Sequence, residues 1–238
     1  MLKFFTINTD AELVCFLIAL ICLIKDKAIV WRCMIWFLAL TISVEMVGIY
    51  LKKPYLDYVK KLENAQKLHI HLNIDPVHSN IWIYNILLVF QAVFISLMFQ
   101  DLLKKHTNSK PMIVTGLVVL CVLYVYEVAV HGVFEKHNIT TITMSVMFII
   151  YSLYCYFCLL KEEAYHNLSI FAPFWLVTGI LFFYFGRIAS LLFFQILETY
   201  DPKVVITYPI YSILIIILYS CWSYSFLCRR WLMKRSEI

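Results

Sequence analysis

Long apolar runs separated by short polar connections dominate the chain. A helix needs about 20 predominantly apolar residues to cross the hydrocarbon core of a bilayer, and most of the runs reach that length. The pattern predicts an all-α membrane protein, a single polytopic domain built as a seven-transmembrane-helix bundle. The spans are predicted at residues 11–24, 28–51, 80–103, 111–134, 139–160, 169–198 and 204–228.

The connection 52–79 is the longest in the chain. Within it, Tyr55, Tyr58, Val59 and Leu62 recur at helical spacing, which predicts a short amphipathic helix lying on the membrane surface. The first apolar run is short, but its basic residues follow it in "LIKDK" and no small-residue cleavage site comes after it. We therefore expect a retained helix and not a signal peptide. The sixth run is long enough to tilt or to project from the bilayer.

Basic residues predict the orientation. Lysine and arginine cluster after spans one and three and in the tail "RRWLMKR", and Lys161 follows span five. Because cytoplasmic segments carry an excess of these residues, the N-terminus is predicted outside and the C-terminus in the cytoplasm. The lysines of the connection 52–79 oppose this orientation, since that connection is then extracytoplasmic.

Composition supports lipid as the solvent for much of the surface. The chain is 63% hydrophobic and only 15% charged, with a mean hydropathy of +0.82, whereas a soluble domain carries about 25% charged residues. The net charge is +5, but the basic residues lie at the ends of apolar runs and do not form one patch. A nucleic-acid partner is therefore not expected.

The eight cysteines all lie within apolar runs or at their edges. Cysteine is readily buried as a small apolar residue, so this placement indicates packing and not a disulfide framework. Cys155 and Cys158 form a C-x-x-C motif, but it lies in the middle of a predicted helix without a second pair. We expect neither zinc nor redox chemistry there, and no cofactor elsewhere.

Several polar residues fall at one predicted depth, near the outer face of the bundle. Isolated charges in hydrocarbon are costly and usually face the bundle interior, so these side chains are expected to converge on a ligand-binding or ion-pair cluster. Its predicted members are Glu45, Asn85, Glu127, His131, Arg187, Tyr208 and Tyr211.

Arg187 is expected to form an ion pair with Glu127 or Glu45. Two carboxylates and one arginine leave a surplus negative charge. Three alternatives account for it: one acid is protonated, it pairs with His131, or it binds a cation. The alternative is a purely architectural clamp that fixes the order of the helices.

A second group of polar residues lies in the stretch "HIHLNIDPVH". His69, His71, Asp75 and His78 are weak candidates for a zinc site, because imidazoles two residues apart in an extended segment share one face. Loop histidines are more often simply solvent-exposed, so no metal is the leading expectation.

Three stretches resemble a known family: "TISVEMVGIYL", "NIWIYNILLVFQAVFISLMF" and "FAPFWLVTGILFFYFG". They are similar to an uncharacterised family of seven-helix integral membrane proteins common in Bacteroidota. The resemblance implies a seven-helix fold in a bacterial inner membrane, and no reaction. It covers roughly residues 35–190, with Gln91 where the family often has an acid. The recurring family residues are matched by Glu45, Trp82, Tyr84, Asn85, Phe174, Trp175 and Gly179.

The pattern favours a receptor-like or signalling membrane protein with an outward-facing polar pocket for a small ligand or partner. Its signal is expected to pass to a separate membrane or cytoplasmic partner, because no soluble domain is seen. The alternatives are a non-catalytic accessory subunit of a membrane complex and a small-solute transporter, although no broken helices or inverted repeats stand out. An enzyme is not expected, because no H-E-x-x-H or G-x-S-x-G motif occurs. Retinal is excluded as a ligand, because span seven has no lysine for a Schiff base.

Reporter fusions test the predicted orientation. A reporter placed in the connection 104–110 and another at the C-terminus should both report the cytoplasm, because both follow an odd number of spans from an external N-terminus. A periplasmic signal at either position would show that the number of spans or their orientation is wrong.

Overall fold

The computed structural model describes residues 7–66, 81–104, 108–161, 168–200 and 207–236. Within these ranges the chain folds into seven α-helices, one short 3-10 turn and no strand. The all-α class predicted from the apolar runs is confirmed. The helices are α1 Ile7–Leu23, α2 Ile29–Gln66, α3 Ile81–Leu103, α4 Lys110–His131, α5 Asn138–Lys161, α6 Ala172–Tyr200 and α7 Thr207–Ser236, and the 3-10 turn is Leu168–Ile170.

Six of the described helices contain a stretch long and apolar enough to cross a bilayer, as expected of a multi-pass membrane protein. The remaining helix, α1, has 17 residues, which is at the lower limit of a spanning length. It packs against α2 and α7 and buries Cys15, Ala19 and Leu23. Thus α1 belongs to the bundle, and its crossing of the bilayer stays a prediction. The six stretches are Ile29–Gly48, Ile81–Leu103, Lys110–His131, Asn138–Lys161, Ala172–Phe193 and Ile210–Met233.

Helix α2 continues beyond the predicted span 28–51. It has 38 residues and ends at Gln66, so the predicted loop 52–79 begins as a continuation of α2. The amphipathic helix expected in this loop is therefore not a separate element.

The helices form a closed ring with one member outside it. Around the ring, α1 packs on α2, α2 on α3, α3 on α5, α5 on α6, α6 on α7 and α7 on α1. Helix α7 runs parallel to α1, because Tyr219 of α7 contacts Glu12 and Arg229 further along α7 contacts Asp26, which follows α1. We call the end of the bundle at which α1 and α7 begin the upper end.

Helix α4 lies outside the ring and packs on α3 and α5. It has the highest mean hydropathy of the six apolar stretches and the smallest buried share. Its valines at positions 118, 122, 125 and 130 are more than half exposed. An exposed surface of this composition is stable only against lipid or another apolar helix.

Aromatic side chains fill the ring in its lower half. Trp31 of α2 meets Phe226 of α7 edge-on at 6.3 Å, and Phe37 meets Trp222 at 6.0 Å. The indole N–H of Trp222 donates to the carbonyl oxygen of Leu176 at 3.2 Å, so the largest buried side chain has a partner for its polar atom. This packing joins α2, α6 and α7 across the bundle.

A buried ion pair closes the lower end. The Asp26 carboxylate accepts the Ala28 N–H at 2.9 Å, which caps the start of α2. Arg229 of α7 donates to the same carboxylate through Nε at 2.6 Å and Nη2 at 3.4 Å. Asp26 is only 4% exposed, and this fork-like pairing gives a buried carboxylate its countercharge.

Helices α6 and α7 approach each other closely at Gly179. An added Cβ at this position lies 3.1 Å from Cβ of Cys221 and 3.2 Å from the carbonyl oxygen of Leu218. The second neighbour is backbone and has little freedom to move aside. A side chain at position 179 therefore forces the two helices apart, which explains the need for glycine here.

Replacing Gly179 with leucine should destabilise the protein by about 1–3 kcal/mol, the usual cost of overpacking a tight contact. The measurement is thermal unfolding of the detergent-solubilised protein with a thiol-reactive dye, since buried thiols such as Cys15 become reactive on unfolding. Ala189→Leu is the matched control, because Ala189 lies on the same helix with its side chain exposed. Equal melting temperatures for the two variants would contradict the close approach of α6 and α7.

Candidate functional site

Glu127 caps helix α5. Its carboxylate accepts the backbone N–H of Ile139 at 2.9 Å and that of Thr140 at 2.8 Å. These groups belong to the first turn of α5, where backbone N–H groups have no acceptor within the helix. A carboxylate at this position also complements the positive end of the helix dipole. Glu127 therefore stabilises the α4–α5 connection.

Asn85 ties the same connection to α3. Its amide nitrogen donates to the carbonyl oxygens of Val133 at 2.7 Å and Glu135 at 2.8 Å. His137, which is buried, holds its Nε2 atom 3.1 Å from the carbonyl oxygen of Gly132. Gly132 ends α4 with φ of 80°, a conformation that glycine adopts without strain. These side chains fix a tight turn between α4 and α5.

His131 lies at the rim of this turn. Its Nδ1 atom is 3.7 Å from a carboxylate oxygen of Glu135, and both side chains are exposed. An exposed pair at this distance contributes little to stability. We call Asn85, Glu127, His131 and His137 the turn group, and its contacts within the described residues are those of a connection between helices.

The other predicted residues belong to a second group, around the upper ends of α1, α2 and α7. Glu45 of α2 lies close enough to Glu12 of α1 for a direct electrostatic effect. The Tyr84 hydroxyl of α3 is within hydrogen-bonding reach of the Glu45 carboxylate, with Tyr211 of α7 nearby. The polar residues predicted as one cluster therefore separate into two groups by their contacts.

Glu12 is the most buried acid of this second group, at 4% exposure. The Tyr219 hydroxyl donates to its carboxylate at 3.0 Å, and the Thr41 side chain adjoins it. Both neighbours are neutral. Among the described residues, no lysine, arginine or histidine forms an ion pair with Glu12.

Arg187 lies on α6 at the far side of this group. Its guanidinium carbon is 6.0 Å from the centroid of the Phe183 ring, and its charge acts on the hydroxyl of Tyr184. The Tyr184 hydroxyl accepts a hydrogen bond from Gln91 of α3 at 2.6 Å. We call the whole set the charged layer: Glu12, Glu45, Tyr84, Tyr184, Arg187, Tyr211 and Tyr219.

The expected ion pair of Arg187 with Glu127 or Glu45 does not occur among the described residues. The ion pairs between described side chains are Lys104–Asp101, His131–Glu135 and Arg229–Asp26. Glu127 is unsuited to pair with Arg187 because both of its oxygens accept N–H groups of α5. The physical reason is the position of α4 outside the ring, which brings Glu127 to α5.

Some predicted residues lie outside the described part of the chain. The side chain of Tyr208 is one of them, and so are the weak metal candidates His69, His71, Asp75 and His78. Within the described ranges, no group of three His, Cys, Asp or Glu side chains is arranged to hold a metal ion.

Glu12, His137, Tyr184 and Tyr219 are among the residues that the sequence pattern did not identify. Glu12 stands at the start of a short apolar run, where an acid is easily taken for a flanking charge. The face of α1 that carries Glu12 is nevertheless recognisable in the sequence, because the small residues Cys15 and Ala19 follow it at helical spacing. In the structure both of these residues are fully buried. A small-residue face of this kind marks the side of a helix that packs against neighbours.

The charged layer thus consists of acids, phenols and one guanidinium contributed by five helices, and its members range from the buried Tyr184 to Tyr211, which is 38% exposed. No protein-family model, curated protein or solved structure matches this chain.

Replacing Glu127 with alanine should destabilise the protein by about 2–3 kcal/mol, because two N–H groups of α5 lose a charged acceptor. Glu135→Ala is the matched control in the same turn, since this side chain is 68% exposed; it should change stability by less than about 0.5 kcal/mol. Thermal unfolding in detergent compares the two. A Glu127→Ala protein as stable as the control would show that the cap contributes nothing.

Proposed function

We propose that this protein is a receptor-like membrane protein that binds a small charged ligand in the charged layer. The observation that carries the proposal is Glu12, an acid at 4% exposure whose described neighbours include the Tyr219 and Thr41 hydroxyl groups and a second acid, Glu45. A buried charge without an opposite charge is costly in a protein and costlier still in a bilayer. A ligand that supplies the countercharge removes that cost.

Asp26 shows how the same protein treats a carboxylate with an architectural role. Asp26 is buried to the same extent as Glu12, but it has both a backbone N–H and the Arg229 guanidinium as partners. The comparison supports different purposes for the two acids. Departures from full pairing are typical of functional sites.

The position of the charged layer suits a receptor. Helix α7 carries Tyr211 near its beginning, Tyr219 near its middle and Arg229 in its last third, so one helix connects the layer with the ion pair at the lower end. A ligand that binds better to one arrangement of α1 and α7 shifts the population toward it. We infer that a separate partner protein at the lower end receives the signal.

The proposal includes a membrane orientation. With seven spans, the N-terminus outside and the C-terminus cytoplasmic, the charged layer lies in the outer part of the bundle and the ligand enters from outside. The basic residues after spans one, three and five support this orientation. The family resemblance supports a bacterial inner membrane as the location.

Glu12→Gln tests whether the unpaired charge is a binding feature. Glutamine keeps a carbonyl oxygen that accepts the Tyr219 hydroxyl, and it removes the charge. We therefore expect the ligand-free variant to be at least as stable as the parent, because the amide removes the cost of burying a charge. Asp26→Asn is the contrasting control; it breaks a completed pair and should lower stability by about 3 kcal/mol.

Thermal unfolding of both variants in detergent at one pH gives the comparison. If Glu12→Gln lowers the melting temperature as Asp26→Asn does, then Glu12 is an architectural acid and the proposed ligand site is wrong. In that case an accessory subunit of a membrane complex becomes the better description.

A further inference from the structure

Two side chains of opposite charge in the upper half of the bundle lack an opposite charge of their own among the described residues. Glu12 lies on α1, where its hydrogen-bond donor is the Tyr219 hydroxyl. Arg187 lies on α6, where its guanidinium carbon is 6.0 Å from the centroid of the Phe183 ring. The bundle therefore holds an acidic position on α1 and a basic position on α6.

Tyrosines neighbour both of these positions. Tyr219 donates to Glu12 and neighbours Tyr211. The Tyr211 ring lies 5.9 Å from the ring of Phe183, on which Arg187 sits. Phenol hydroxyls are neutral groups that both donate and accept hydrogen bonds, so they solvate a polar ligand without supplying a countercharge.

The negative position has a further acceptor. The Oδ1 atom of Asn8 is buried and has no hydrogen-bond partner within the described part of the chain. Asn8 lies one helical turn before Glu12, so the two residues share a face of α1. A buried acceptor without a donor costs about 1–3 kcal/mol. A ligand group with several N–H donors satisfies the Asn8 amide and the Glu12 carboxylate together, and an ammonium group has three such donors.

The positive position has the opposite preference. A guanidinium presents a planar fork of donors that matches a carboxylate in shape and charge. Arg187 sits on the ring of Phe183 and carries no carboxylate partner among the described residues. A carboxylate on the ligand supplies one.

We propose that the ligand is a small zwitterion of the amino-acid class, with its ammonium group at Glu12 and Asn8 and its carboxylate at Arg187. This inference rests on the proposed function, since it names the ligand of the same charged layer. A simple cation leaves the guanidinium without a countercharge, and a simple anion leaves Glu12 without one. A zwitterion neutralises both positions and adds no net charge to the membrane interior, where net charge is expensive.

Matched small molecules test the proposal on the unmodified protein. The ligands are glycine, β-alanine and γ-aminobutyrate, which are zwitterions of increasing length, with butylamine and butyrate as analogues that carry only one of the two charges. Binding is measured by isothermal titration calorimetry in detergent, at concentrations up to about 10 mM, because a dissociation constant near 1 mM is still detectable there. We expect at least one zwitterion to bind roughly 10- to 100-fold more tightly than either analogue, since each analogue lacks one charged hydrogen-bonding group.

Variants identify the two ends of the ligand. Glu12→Gln and Arg187→Gln should each weaken binding of the zwitterion by roughly 10- to 100-fold. Glu135→Gln and Lys136→Gln, which remove the same charges from exposed positions on the α4–α5 turn, should leave binding unchanged. Arg187→Lys keeps the positive charge but loses the planar pair of N–H donors that matches a carboxylate, so this variant should retain part of the affinity.

The outcomes separate the two proposals. If butylamine binds as tightly as the best zwitterion and Arg187→Gln has no effect, the ligand is a simple cation; the zwitterion proposal fails and the proposed function stands. If butyrate binds best and Glu12→Gln has no effect, the zwitterion proposal fails in favour of an anion. If none of the five compounds binds, both proposals fail.

Discussion

The absence of water inside a bilayer is the constraint on which this structure depends. Every polar group that enters the hydrocarbon region needs a partner supplied by the protein itself. The α4–α5 connection meets this requirement through side chains: Glu127 accepts two N–H groups of α5, and Asn85 donates to two carbonyl oxygens. Asp26 and Arg229 meet it with a charge pair at the lower end. These contacts hold the helices in one order.

The charged layer departs from this requirement, because Glu12 and Arg187 have no opposite charge as a partner among the described residues. This difference supports a role for the layer other than holding the helices together. Glu12 and Arg187 each have a neutral or aromatic neighbour where Asp26 has a full countercharge. Aromatic packing below the layer is dense, with Phe37 against Trp222. Dense aromatic packing beneath a polar layer supports the proposed ligand site, because apolar surroundings strengthen the electrostatic interactions of the polar groups.

The candidate site was only partly predictable, for a reason that lies in the arrangement of the helices. Counting residues along each span places Glu45, Asn85, Glu127 and Arg187 at similar depth, but depth does not tell which helices are neighbours. Because α4 packs outside the ring, Glu127 meets the beginning of α5 and takes no part in the charged layer. Glu12 was missed because the first apolar run is short and its acid resembles a flanking charge.

The sequence by itself determined that lipid surrounds the helices, that the fold is all-α, and where most of the helices begin and end. Apolar runs of spanning length have only one stable backbone conformation in lipid, in which all N–H and C=O groups bond within the helix. The tertiary structure alone decided the ring, the external position of α4 and the division of polar residues into the turn group and the charged layer. These features depend on side-chain contacts between distant segments, such as Tyr219 with Glu12 and Gln91 with Tyr184, and no local pattern of residues encodes them.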